Sequence, residues 1–105
     1  MPKPSPVVTP PLSRLEQLVQ KARKLRNKGE TRKALQALRE ACLLDEQSAW
    51  LWTLYGYHLT CAHRLAEAQQ AFRHAVWLRR ASGDVRRMRS TQALMERLAS
   101  PSFAA

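Results

Sequence analysis

Laid over itself at an offset of 34 residues, the chain repeats: ALQALREACLL, starting at Ala34, falls on AQQAFRHAVWL, starting at Ala68. The shared pattern is AxQAxRxAxxL. With the stretch before each included, the identical pairs are Leu25 and Leu59, Ala34 and Ala68, Gln36 and Gln70, Ala37 and Ala71, Arg39 and Arg73, Ala41 and Ala75, and Leu44 and Leu78. Repeats of this length come from units that cannot bury their apolar faces alone and therefore stack. The 105 residues fit one domain, long enough for a modest core and too short to enclose a deep catalytic cavity.

Within each unit the apolar residues keep helical spacing. Ser13 followed by Glu16 is a capping-box pattern, and Leu15, Leu18, Ala22 and Leu25 then recur at three and four residues, predicting a helix over about 14–28. Lys21, Lys24 and Lys28 share another face, and Gly29 suits a left-handed stop. Ala34, Leu35, Leu38, Ala41 and Cys42 predict a second helix over about 31–44, which the polar DEQS at 45–48 breaks. A third over about 49–62 turns Trp52, Tyr55, Gly56 and Leu59 inward, and a fourth over about 65–79 buries Ala68, Ala71, Phe72, Ala75 and Leu78. A fifth, about 84–98, places Met88, Met95 and Leu98 on one side, with Pro101 beyond its end. No stretch reads as a strand. Five of the six prolines fall in residues 1–12, so this segment is expected to be a disordered or extended Pro-rich tail, and 99–105 a flexible C-terminus.

Residues 49–82 resemble the tetratricopeptide repeat (TPR): Trp52, Gly56, Ala68, Phe72 and Ala75 stand where that family has Trp, Gly, Ala, an aromatic and Ala. Residues 15–48 keep Leu18, Ala22, Leu25, Gly29, Ala34, Leu38 and Ala41, with Lys21 at a usually apolar site. The closing proline of the family is replaced by Glu46 and Arg80. The resemblance implies an all-α, right-handed superhelix of helix-turn-helix hairpins over 13–98. It comprises two repeats, 15–48 and 49–82, and a capping helix at 84–98. Gly56 and Ala68 would let paired helices approach closely, with Phe72 filling the space between them. Two repeats and a cap are short for independent stability, so self-association or a partner would complete the core.

In this family the first helix of each unit lines a concave groove that holds an extended or helical peptide. Carried over, the groove positions are Arg23 and Arg26 from the first unit, Trp50, Thr53, Tyr57 and Thr60 from the second, and Arg87 and Thr91 from the cap. Trp50 and Tyr57, seven residues apart, share one side of their helix, and Arg, Trp and Tyr are the types that most often dominate binding energy. The alternative for this aromatic pair is packing against the last helix. Val19, Arg23, Leu54, Asp84 and Met88 occupy the sites where the family's carboxylate clamp has Lys and Asn, so recognition of chaperone-tail peptides is not implied.

The formal charge of +10 points to acidic partners or to resistance against self-association. Eight basic and two acidic residues lie in 14–33, two basic and four acidic in 34–72, and seven basic and two acidic in 73–97. The first cluster surrounds its helix on several sides, as a solvated charge run does, although clustered cations also suit nucleic acid. Arg79, Arg80, Arg86, Arg87 and Arg89 carry the same two readings. His58, Cys61 and His63 lack a fourth metal ligand at suitable spacing. No nucleophile elbow, phosphate-binding Gly loop or HExxH pair is present, and Asp45 with Glu46 sits on a polar turn. No metal, cofactor or catalytic residue is expected. The longest uncharged run, 47–63, is too short and polar to span a membrane, and two helical cysteines without a preceding secretory signal suit free thiols in the cytoplasm. The expected function is therefore a cytoplasmic adaptor or chaperone-like subunit holding an acidic peptide or helix. A nucleic-acid accessory protein using the basic ends is the second reading. The third is a subunit whose exposed repeat edges drive homo-oligomerisation.

Overall fold

A computed structural model of the chain describes residues 13–100. The expected N-terminal tail, 1–12, and residues 101–105 of the expected C-terminal segment lie outside them. Five helices follow in order: α1 (Arg14–Asn27), α2 (Thr31–Leu44), α3 (Ala49–Cys61), α4 (Leu65–Ala81) and α5 (Val85–Leu98). The described residues contain no strand.

The starts of α1, α3 and α5 have a local cause. The Ser13 hydroxyl accepts from the Glu16 amide at 3.1 Å, the Ser48 hydroxyl from the Leu51 amide at 3.3 Å, and the Asp84 carboxylate from the Arg87 amide at 3.1 Å. Three of the four connections are the same turn. After α1 the Gly29 amide donates to the Arg26 carbonyl at 2.9 Å and the Glu30 amide to that of Leu25 at 2.9 Å. His63 and Arg64 repeat this onto Thr60 and Leu59, and Gly83 and Asp84 onto Arg80 and Arg79. These are Schellman stops, whose pivot residue adopts a left-handed conformation. The pivots have φ of 79° at Gly29, 61° at His63 and 78° at Gly83.

The repeat survives in three dimensions. Ala34 and Ala68 sit in the first turns of α2 and α4 and are 4% and 2% exposed. Their amides donate to Glu30 and Arg64, again 34 residues apart. Leu18, Ala22, Leu38, Ala41, Leu51, Leu59, Ala71 and Phe72 join one continuous core that runs through α1 to α4 and ends on Leu98 of α5. At the α3–α4 crossing a methyl group added to Gly56 would lie 3.0 Å from three ring atoms of Phe72. Burying that ring contributes about 1.5–3 kcal/mol, and only a glycine opposite lets it lie flat between the helices. Leu15, Leu25, Trp52, Met88 and Met95, expected inside, are half-buried.

The spacing changes after the second unit. Asp45, Glu46 and Gln47 end α2 at Leu44, whereas their counterparts Arg79, Arg80 and Ala81 continue α4 to Ala81. Negative charge opposes the dipole at a helix C-terminus and positive charge favours it. Ser48 therefore caps the start of α3, while its counterpart Ser82 caps the end of α4. In consequence α5 begins at Val85, 36 residues after the start of α3 at Ala49, which itself begins 35 residues after the start of α1 at Arg14. One residue corresponds to about 100° of rotation around a helix.

Candidate partner-binding cleft

The polar turn before α3, the last turns of α4 and the start of α5 enclose a cleft of about 500 Å³. Trp50, one residue inside α3, lies on one wall at 56% exposed, and Trp77 of α4 on the other at 58%. Arg79, Asp84 and Arg87 also line it. Asp84 is occupied: one oxygen accepts from the Arg87 amide and the other lies 3.6 Å from Arg87 Nε. Arg79 Nη1 donates to the Arg87 carbonyl at 3.5 Å. Its Nε is buried without a hydrogen-bond partner, the one such side-chain nitrogen or oxygen among the described residues. A buried donor left unpaired costs about 1–3 kcal/mol. The cleft thus offers two exposed indoles and two arginines, and its single acid is already engaged.

Of the expected groove residues, Trp50 and Arg87 meet in this cleft. Arg23 and Arg26 are exposed on α1, away from its lining. Tyr57 is half-buried with its ring 5.8 Å from that of His58. His58 is held below its ordinary pKa first by burial and then by the charge of Arg26. Thr53 is half-buried, its hydroxyl donating to the Ala49 carbonyl at 2.8 Å.

Two of the expected positions are buried. Thr60 is buried, its hydroxyl on the Gly56 carbonyl at 2.9 Å, because Met95 and Leu98 of α5 close over it around a 70 Å³ cavity. Thr91 is buried with its hydroxyl on the Arg87 carbonyl at 2.8 Å. Trp77 was not expected in the site. Its signal was present in the repeat, since it is the counterpart of Leu43 and both stand off the buried stripe at 58% exposed.

His58, Cys61 and His63 do not gather: among the described residues no three His, Cys, Asp or Glu side chains come together in a way that would hold a metal ion. No helix among the described residues is long and apolar enough to cross a membrane. Comparison with models of protein families, with curated proteins and with solved structures gives no match for this chain.

Proposed function

We propose that the chain is a TPR-type protein-interaction module rather than an enzyme: an adaptor or chaperone-like subunit of the cytoplasm that holds an acidic peptide or helix. The TPR reading is supported by the equivalent burial of Ala34 and Ala68, the Gly56–Phe72 contact and the shared turns at Gly29 and His63. The observation that carries the binding reading is the pair of exposed tryptophans, Trp50 and Trp77, that line one cleft together with Arg79 and Arg87. Exposed tryptophans flanking cations are the residues from which interface hot spots are built. An acidic side chain beside an apolar one complements both halves of the site: its carboxylate reaches Arg79 and Arg87 while its neighbour lies between the indoles.

Panning a random peptide display against the purified chain tests this. Enriched peptides should place Asp or Glu next to an aromatic or aliphatic residue. Trp50→Ala and Arg79→Gln should each weaken a selected peptide about tenfold, the loss of roughly 1.4 kcal/mol. Neutralising Lys21, Lys24 and Lys28 should change affinity little. Enrichment without acidic bias, or affinity that ignores Trp50→Ala, defeats the reading. Tight capture of nucleic acid that weakens steeply with salt and depends on those lysines would put the nucleic-acid reading in its place.

A further inference from the structure

Trp50 and Trp52, two residues apart on one helix, project to nearly opposite sides, and a second concavity lies beside Trp52 where α2 and α4 flank α3. A smaller one shares two of its residues. The larger, about 440 Å³, is lined by Leu43, Trp52, Leu59 and His74, with Glu67 and Gln70. The Trp52 ring is fixed there, with its Nε1 donating to the Glu46 carbonyl at 3.0 Å and the His74 ring edge-on at 4.5 Å. The smaller, about 180 Å³, is lined by Arg32, Arg39 and Arg64. Arg39 and Tyr55 line both, so a largely apolar concavity, with Glu67 at its lining, adjoins an arginine-lined one.

The polar end is built and uncommitted. Tyr55 is 8% exposed, and its hydroxyl has no hydrogen-bond partner among the described residues. Burial first, then Glu67, raises the phenol above its ordinary pKa, against the opposing pull of Arg39 and Arg64, so it stays a donor at neutral pH. Glu67 holds Arg64 through two hydrogen bonds of 2.9 and 2.8 Å. Arg32 and Arg39 have no ion-pair partner among the described residues.

We infer that this trough, independently of the tryptophan cleft, binds a small amphipathic anion. Its apolar body lies against Leu43 and Trp52, and its carboxylate or phosphate meets Arg32, Arg39 and the Tyr55 hydroxyl. An inorganic anion would leave the chamber empty, and an uncharged apolar molecule would leave two guanidinium groups without counter-charge. Both halves are matched only when one molecule carries both characters.

Titration of the intact chain, followed by amide shifts in nuclear magnetic resonance, tests the assignment with four probes: phenyl phosphate, 3-phenylpropionate, inorganic phosphate and benzyl alcohol. One or both amphipathic anions should bind saturably around Tyr55, about tenfold or more tighter than either half-probe, and their order identifies the preferred oxyanion. Arg39→Gln, at an exposed position, should weaken the better probe about tenfold and Tyr55→Phe about threefold, while Trp50→Ala leaves it unchanged. Equal binding of inorganic phosphate, indifference to Arg39→Gln, or no saturation by either anion overturns the proposal. None of these results bears on the tryptophan cleft, whose test rests on Trp50 and Arg79.

Discussion

His63 holds a left-handed backbone conformation where its repeat counterpart is Gly29, and a side chain there costs about 1–2 kcal/mol. His63→Gly should raise stability by about 1 kcal/mol, part of the relief being offset by the extra freedom glycine gives the unfolded chain. Gly29→Ala and Gly83→Ala should each lower it by about 1 kcal/mol, because no neighbour lies within 4 Å and the backbone angle alone is strained. Urea unfolding of the three variants checks both signs. Burial acts on Cys42 in another way, pushing its thiol from 9.0 up to about 12. Above pH 9 the unfolded chain releases a proton that the folded chain retains, so this contribution is complete below pH 9 and lost progressively towards pH 12. The urea midpoint should therefore fall between pH 9 and pH 11, and less steeply in Cys42→Ala, with Tyr55 leaving a residual slope of the same sense. A thiol reagent at neutral pH should modify exposed Cys61 and spare Cys42 until the chain unfolds.

The α3–α4 pair is where one residue decides how close two helices come. Gly56→Ala improves helix propensity by about 1 kcal/mol but drives a methyl into the Phe72 ring, so a net loss of about 1 kcal/mol is expected. Shrinking the ring should release it: in a Phe72→Leu background the same substitution should be neutral or stabilising, a coupling measurable in a double-mutant cycle. A Gly56→Ala chain as stable as the parent with Phe72 intact would mean that the ring is free to move. This contact was legible in the sequence because Gly56 and Phe72 fall on facing stripes. The helices themselves were legible because apolar residues at three- and four-residue spacing must share a face. The end of α4 was not. A 34-residue ruler placed it near residue 79, and what carried it to Ala81 was the charge difference between Asp45-Glu46 and Arg79-Arg80. The covering of Thr60 and the meeting of Trp77 with Trp50 depend on how neighbouring helices lean, which spacing along one helix does not encode.

Across the whole molecule each helix packs on its neighbours in a linear stack, so stability is the sum of local units and the seams between them. The last seam is closed by Leu98, and a chain ending at Ser82 would uncover Thr60, Phe72 and the flank of α4. That truncation should bind a hydrophobic dye and unfold at markedly lower urea than the full chain, and an unchanged midpoint would show that α5 is dispensable. The joint before α5 carries a consequence for assembly. A filament grows when the surface at one end of a subunit is the template that the other end already fits. Here α5 is joined through the left-handed turn at Gly83, whereas the two hairpins are joined through the turn at 45–48, so α5 does not offer the next molecule the joint that unites the two hairpins. Sedimentation should accordingly give a mass that does not climb with concentration.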